Sequence, residues 1–451
     1  MKTKLNSEIR NHGAHGLSRR SFAKAEVTRP TWALLFLCLL WLATTFTAQA
    51  APLITNVTTS VSVANVTISY NISDASFSSA NVYVLVSADH GTNWIIPAIN
   101  LSGTYGLGVP VNTSLTTNTV IWNAVADWPG HYTTNCRVRV VACDNGMVMI
   151  PAGSSFRGNA MSADTDITDA PQYQVFVNPF LMDSNLVSYS QWQTVYNWAI
   201  INGYYFDNAG SGQAANHPVQ TVDWYDAVKW CNARSEIEGV PPVYYEDCSY
   251  TTVYRSMYHL PVCMKTNANG TVVNGYRLPT EAEWEKAARG GLTGKRFPWG
   301  DTIAALKFNP NPVASYTELG GYYFWSSSGG CSYTNFYSYD GPDFYGPAGP
   351  SCPATASNGP SSTSPVGSFP ANGYNLYDMA GNVNEWCWDW YSSTYYVGGQ
   401  TNPTGPNSGT SRVLRGGSWL GTAPVARCAN RGTSLPYNAD NTVGFRCVRG
   451  F

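Results

Sequence analysis

Charged residues are scarce in this sequence. Asp, Glu, Lys and Arg together make up 12% of its 451 residues, and the formal net charge is −2. Because no basic stripe is present to meet phosphates, we expect no nucleic-acid partner. A P-loop, a GxGxxG fingerprint and a GxSxG elbow are also missing, so nucleotide binding and serine hydrolysis have no support.

Familiar metal-binding spacings are missing as well. The eleven cysteines form no CxxC pair, which argues against a zinc ribbon or a thioredoxin-like site. His12 and His15 lie in a predicted leader, and the other four histidines form no HxxH or HExxH spacing. His217 precedes a proline and is predicted to be a packing residue rather than a ligand.

Aromatic residues and glycine are abundant instead. Aromatics make up 14% of the chain, with 16 Trp and 29 Tyr, and there are 41 Gly. This mixture is typical of a loop-rich globular protein whose irregular backbone packs around large rings. A disordered chain would have fewer aromatics and more charge.

Residues 1–50 are predicted to be a secretory signal peptide. A basic stretch is followed by the apolar run TWALLFLCLLWLATTFTAQA, which ends in the small-x-small exit Ala48-Gln49-Ala50. The alternative is a membrane anchor, since the run approaches spanning length. SRRSFAK, residues 18–24, hints at twin-arginine export. We expect a secreted, periplasmic or cell-surface protein with no membrane span after cleavage.

Cleavage would remove Cys38 and leave ten of the eleven cysteines. An even number in an exported chain favours disulfides over metal thiolates. We expect local bridges between Cys248 and Cys263 and between Cys331 and Cys352, although a sequence does not determine connectivity.

Residues 51–144 contain several short segments with strand-like alternation. They are NVTISYNIS, ANVYVLVSAD, NTVIWNA and CRVRVVAC, separated by turn signals. This pattern predicts an all-β sandwich similar to fibronectin-type or immunoglobulin-like modules. Cys136 and Cys143 lie on one strand, too far apart to bridge each other if it is straight, so we expect them to be structural and buried.

Two helices are predicted in residues 147–451. Trp224–Ile237, WYDAVKWCNARSEI, has apolar positions at helical spacing. The segment 280–289 opens with a capping box, Thr280 with Glu283 three residues later, and this helix is interpreted as architecture rather than catalysis. Residues 314–364 are rich in Gly, Ser, Tyr and Pro, which predicts surface loops.

Seven ordered segments resemble the formylglycine-generating enzyme family, also called sulfatase-modifying factor. They are MIPAGSSFRG, HPVQTVDWYDAVKWC, YRLPTEAEWEKAARGG, FPWGD, SPVGSFPANGYNLYDMAGNVNEWCWDWY, RVLRGGSW and GFRCVR, within residues 147–451. The resemblance implies an α+β fold of low regularity, a variant of the C-type lectin fold. The namesakes oxidise a sulfatase cysteine to formylglycine with O₂ and copper held by two active-site cysteines.

The resemblance also implies structural calcium. The loop YDMAGNVNEW offers Asp378 and Glu385 with the carbonyls of Gly381 and Val383, a hard-oxygen set suited to Ca²⁺. The alternative is that both carboxylates only cap the loop. A second calcium site of the family matches four further residues: Asn309, Pro310, Asn358 and Pro360. Because Asn358 replaces the usual aspartate, we expect weaker calcium binding at this second site. The family's glutamate after the D-x-x segment is Leu186 here.

The catalytic cysteines of the family have no counterpart in this chain. Between Ser418-Trp419 and Arg427-Cys428 there is neither cysteine nor histidine. A soft Cu(I) ion requires thiolates, so copper is not expected. Cys387 and Cys428 could form a copper pair, but a replacement disulfide between them is favoured, because the family's bridging position is Ala287 here. Cys231 and Cys447 match the family's other bridge.

Two functions follow from these expectations. The first is a calcium-stabilised binding or structural module at the cell surface, without formylglycine-generating activity. Ser418, Trp419 and Arg427 would line a groove, with exposed Trp419 and Tyr437 contacting a peptide, protein or glycan, as in diversified ligand-binding proteins that share a GGSW…GFR ending. The alternative is an oxidase of protein cysteine or another substrate, with Ser418 in an altered site.

Overall fold

The computed structural model describes residues 52–301 and 363–451 except 75–77, 112–116, 132, 145, 260, 268–269, 396–397 and 422, together with four two-residue strands between 304 and 332. The predicted signal peptide, the second calcium site at Asn309, Pro310, Asn358 and Pro360, and the predicted bridge to Cys352 lie outside these residues. Among the described residues, no helix is both long and apolar enough to cross a membrane.

Two antiparallel sheets form the first region. Its elements are β1 Leu53–Val61, β2 Asn65–Ser73, β3 Ser79–Ser87, β4 Leu101–Gly103, β5 Gly106–Pro110, β6 Asn118–Asn123, the short helix α1 Ala124–Asp127, and β7 Arg137–Cys143. One sheet has the order β1-β2-β6-β4 and the other β5-β3-β7. All four predicted strand segments are strands, and the immunoglobulin or fibronectin assignment stays a prediction.

A single apolar cluster lies between these sheets. Tyr70 of β2 and Trp122 of β6 belong to it, and so do Val82 of β3 and Val140 of β7. Alternating residues of a strand point to opposite faces, so the period-two pattern in the sequence placed these side chains on one side of each sheet. Cys143 is buried and free, whereas Cys136 is free and only half-buried, so the expectation of burial holds for the first of them.

Short elements and loops dominate the second region. Its strands are β8 Met147–Ile150, β9 Gly153–Arg157, β10 Tyr173–Val177, β11 Phe180–Asp183, β12 Tyr244–Tyr245, β13 Cys263–Met264, β14 Ala304–Ala305, β15 Glu318–Leu319, β16 Tyr322–Tyr323, β17 Cys331–Ser332, β18 Asn384–Trp390, β19 Arg412–Arg415, β20 Gly432–Ser434, β21 Val443–Gly444 and β22 Val448–Arg449. The helices are α2 Tyr189–Ile201, α3 Trp224–Ile237 and α4 Glu281–Arg289, with a 3₁₀ turn at Ala423–Ala426. The expected low regularity is confirmed.

Helix α3 has the predicted bounds. Asp223 caps it, and Asp223 with Asp226 forms a reciprocal capping box. Every residue from Trp224 to Ser235 is buried, because α3 runs through the larger apolar cluster of this region. In that cluster the rings of Trp192 and Trp230 stack with centroids 6.1 Å apart.

Helix α4 shows the predicted capping box between Thr280 and Glu283 and ends at Gly290 in the left-handed conformation, φ 55°. Its nine residues are all buried although five are charged. The acids are satisfied by arginines: Glu283 pairs with Arg277, just before the helix, and Glu285 pairs with Arg415 of β19 at 2.8 Å. The predicted architectural helix is thus part of a buried ionic core.

Three local features complete the frame. Helix α2, which the sequence analysis missed, is capped by Ser188 and packs Trp192 into the core. Cys248 and Cys263 are joined as predicted. The sheet β20-β19-β18-β21 places the predicted calcium loop and the segment after β19 side by side, because β18 pairs with β19.

Candidate functional site

The segment after β19 turns back on itself through two glycines. Gly416 and Gly417 have φ of 92° and 73°. A Cβ on Gly417 would lie 3.0 Å from the carbonyl oxygen of Val425 and 3.1 Å from the amide nitrogen of Ala426. Glycine is required here for conformation and for space, so the segment is a closed turn packed on the 3₁₀ turn.

Trp419 is buried rather than exposed, which corrects its predicted place at the surface. Its side chain is 6% exposed, and its indole Nε1 donates to the carbonyl of Asn441 at 3.3 Å. It packs with Leu186 and Val383. The reason is a contact between distant residues: Leu186, at the position where the family has a glutamate, supplies an apolar surface that covers the ring.

Arg427 and Ser418 are also buried, so their predicted place in an open groove is wrong. Arg427 forms ion pairs with Asp164 at 3.1 Å and with Asp166. Burial raises the pKa of Asp166, but the hydrogen bond and charge of Arg427 outweigh it and leave that pKa lowered. The guanidinium therefore ties the loop that carries both aspartates to the segment after β19. Tyr437, 54% exposed, does reach the surface.

The two candidate copper thiols lie in the core. Cys387 and Cys428 are both free and fully buried in one apolar cluster that also contains Ala287. Burial raises the pKa of Cys428 to about 12 and that of Cys387 well above its usual value. These thiols would stay protonated at neutral pH, which disfavours metal binding. The disulfide predicted between them is not formed in this structure.

Cys231 and Cys447 are also unbonded here, with their sulfurs 3.5 Å apart in a fully buried setting. The structure thus brings together the two residues that the family resemblance paired, and the bond stays a prediction.

The predicted calcium loop is held by an arginine. Both carboxylate oxygens of Glu385 accept hydrogen bonds from Arg446, from Nε at 2.7 Å and from Nη2 at 2.9 Å. Asp378 has φ of 54° and is buried, and its Oδ2 accepts from the amide of Gly367 at 2.8 Å. Burial raises the pKa of Asp378 to about 6. Glu385 is therefore paired directly with Arg446, whereas Asp378 feels the charge of Arg446 without a direct ion pair to it.

One further oxygen near Asp378 has no hydrogen-bond partner. Within the described residues, buried Oδ1 of Asn185 is unsatisfied, and a Cβ on Gly367 would lie 2.9 Å from it. Gly367 thus contacts both residues, since its amide donates to Asp378 and Asn185 Oδ1 lies close to its Cα. A buried oxygen with no hydrogen-bond partner is able to serve as a ligand of a hard cation.

A cluster of two carboxylates and an imidazole at the start of α3 was not predicted from the sequence. Three potential ligand atoms lie within 4.8 Å of one another, one from each of Asp207, Asp223 and His259, although His259 is 52 residues from Asp207. Burial, followed by the charge of Asp226, raises the pKa of Asp223 to about 8. No sequence spacing marks this set, because a loop after α2, a helix cap and a loop between β12 and β13 contribute one residue each. His217, by contrast, bonds Thr363 at 2.9 Å, in keeping with the predicted packing role.

Comparison with known proteins gives one consistent result. Residues 137–451 match the family described as "Sulfatase-modifying factor enzyme 1-like domain". A formylglycine-generating enzyme from Streptomyces coelicolor is 31% identical over 329 residues, covering 67% of this chain and 88% of that protein. Chaperone protein LppX from Paenibacillus barcinonensis is 29% identical over 303 residues, covering 67% of this chain and 89% of that protein. Among solved structures, Treponema denticola variable protein 1 has a TM-score of 0.48 and 27% identity, and the match covers 67% of this chain and 94% of that one.

Proposed function

The chain belongs to the sulfatase-modifying factor family, and we propose that it is an exported, calcium-stabilised binding or structural module without copper-dependent formylglycine-generating activity. Family membership alone does not fix a reaction, because the relatives include a protein named as an enzyme and one named as a chaperone.

The observation that carries this proposal is the chemistry of the segment after β19. Between Trp419 and Cys428 it offers no thiol and no imidazole, and copper(I) chemistry of the family's kind needs a thiolate pair. The remaining thiols nearby, Cys387 and Cys428, are buried with raised pKa values. A bound substrate peptide would therefore meet Gly, Pro and apolar side chains where the family has its metal.

Calcium fits the loop that leads into β18. Asp378, the carbonyls of Gly381 and Val383, and Glu385 would hold the ion, with Glu385 sharing its carboxylate between the ion and Arg446. Arg446 is bonded to Glu385 and acts on Asp378 only through its charge, so the ion would supply further positive charge to a loop in which two buried carboxylates share one arginine. The role of calcium here is structural: it would fix the loop against β19 and keep the segment after β19 in place.

The ligand surface of this module is centred on Tyr437. Its ring stacks on His259 with centroids 6.3 Å apart and planes 11° from parallel. Met257 and Tyr258, the neighbours of His259 along the chain, are 57% and 64% exposed. Exposed aromatic side chains provide large, rigid contact area for a peptide or a glycan. This surface takes the place of the groove that buried Trp419 cannot line.

Mass spectrometry of a Cys-x-Pro-x-Arg peptide tests the proposal. The peptide is incubated with the purified protein, Cu(I) and O₂, and a catalytic family member is run in parallel. We expect an unchanged peptide here and conversion of the thiol to an aldehyde by the catalytic member. An aldehyde formed by this protein would refute the proposal in favour of the oxidase, and its loss in a Cys428→Ser variant would identify an unsuspected ligand.

A further inference from the structure

The cluster at the start of α3 combines three segments that are distant along the chain. Asp223 caps the helix, Asp207 lies in the loop after α2, and His259 lies between β12 and β13. Nε2 of His259 is 3.2 Å from Oδ2 of Asp207, and one ligand atom of each of the three residues lies within 4.8 Å of the other two. Imidazole nitrogen with two carboxylate oxygens is a ligand set typical of divalent transition metals.

The negative charge of this cluster is incompletely balanced. Lys229 Nζ lies 3.2 Å from Asp207 Oδ2 and 3.8 Å from Asp226 Oδ1. Asp223 is only 1% exposed, and in the described part of the chain no cationic group lies within 4.0 Å of it. Three carboxylates thus share one lysine, and a buried unpaired carboxylate is costly unless a cation approaches it.

One oxygen of Asp223 is poorly used. Its Oδ1 accepts from the amide of Asp226 at 2.7 Å as part of the helix cap. Its Oδ2 has only a long contact of 3.5 Å with Nδ2 of Asn208, at the limit of a hydrogen bond. The cap therefore fixes the carboxylate in position while it leaves one oxygen available for coordination.

The imidazole of His259 is held in orientation by two rings. It stacks on Tyr225 with centroids 4.3 Å apart and planes 5° from parallel, and its plane is also nearly parallel to the ring of Tyr437, with centroids 6.3 Å apart. These contacts restrict the rotation of the imidazole. The side chains of His259 and Asp207 are 37% and 32% exposed, which provides an entry path from solvent.

We propose that Asp207, Asp223 and His259 bind a divalent transition-metal ion of the Zn²⁺ class, separate from the calcium loop. Bonds of about 2.0–2.2 Å would bring the ligand atoms to roughly 3.5 Å from one another. The cluster must therefore contract slightly, and the half-exposed side chains of Asp207 and His259 have the freedom to do so. Lys229 stays paired with Asp226. The ion lies against Tyr437, so it would form part of the ligand surface proposed above, but its binding does not depend on that role.

Titration of the untagged, chelator-treated full chain with Co²⁺, followed by its visible d–d absorption, tests this site. We expect one equivalent to bind and Zn²⁺ to displace it. His259→Ala and Asp223→Asn should each weaken Co²⁺ binding at least about tenfold, because each removes a ligand. Asp223→Asn retains an oxygen to cap α3, so its unfolding temperature without metal should not fall.

His131→Ala is the matched control, because His131 is exposed in the first region, where it stacks on Trp128 and its Nδ1 lies 2.8 Å from the carbonyl oxygen of Pro129. Its Co²⁺ affinity should equal that of the unmodified protein. The proposal is overturned if no stoichiometric binding is seen, or if the His259→Ala variant binds as tightly as the control. Neither result depends on the peptide-conversion assay, so the two proposals can fail separately.

Discussion

Replacing Asp389 by Asn should stabilise the protein at alkaline pH and not at acidic pH. Asp389 lies on β18 and is 1% exposed. Its Oδ2 accepts from the amide of Glu281, the first residue of α4, at 2.8 Å. Arg157, Arg415 and Arg431 form ion pairs with Glu281. The charge of Arg157 also acts on Asp389, but it offsets only part of the effect of burial on that carboxyl.

The magnitude follows from the difference between the two carboxylates. Burial, followed by the charge of Glu281, raises the pKa of Asp389 from 3.8 to about 7. Burial would also raise the pKa of Glu281, but its arginines outweigh it and lower that pKa to about 2. A folded-state pKa above the unfolded value means that the free energy of unfolding falls as the pH rises from about 4 to 7. Three pKa units correspond to about 4 kcal/mol as an upper limit.

Asn keeps the carbonyl oxygen that accepts from Glu281 and cannot ionise. The difference in unfolding temperature between Asp389→Asn and the unmodified protein should therefore be near zero at pH 4 and rise to several degrees at pH 8.5. A conversion of roughly 2–4 °C per kcal/mol applies to domains of comparable size. The assay is thermal unfolding by tryptophan fluorescence at constant ionic strength.

Asp89→Asn is the control for this experiment. Asp89 is only partly buried, and hydrogen bonds from Ser87 and Asn93 lower its pKa to about 2, so its difference curve should not change between pH 5 and 8.5. A flat or falling curve for Asp389→Asn over the same range would refute the reasoning, because it would mean that the buried carboxylate has a compensating partner.

Three further outcomes can be checked. Arg446→Met should lower the free energy of unfolding, measured by urea titration, by about 3–5 kcal/mol because it leaves Glu385 buried and unpaired. Adding Glu385→Gln should restore most of that loss. Equal losses in the single and double variants would contradict this expectation. Calcium should raise the unfolding temperature relative to EGTA, and Asp378→Ala should remove that rise; a calcium effect that persists in the variant would place the ion elsewhere. Alkylation and mass spectrometry of protein secreted into an oxidising compartment should show Cys231 linked to Cys447, and recovery of both as alkylated free thiols would count against the bridge.

Local sequence signals predicted the elements that depend on neighbours along the chain. The capping box at Thr280 starts α4 where expected, since the groups it satisfies lie within one turn. The helical spacing of apolar residues predicted α3. Period-two alternation predicted the strands of the first region, because each face of a strand repeats every second residue. The joined pair Cys248 and Cys263 was predicted as a local bridge.

Tertiary structure decided the surroundings of individual side chains. Trp419 became buried because Leu186, more than two hundred residues earlier, covers its ring. The acids of α4 became a buried ionic core because arginines from distant segments reach them.

The cluster of Asp207, Asp223 and His259 likewise exists only after three separate segments meet. Residue types and local periodicity predicted which helices and strands form. They also showed that the segment after β19 has no thiol pair for copper. The positions of charge and of open surface depended on contacts between distant residues, which sequence spacing does not encode.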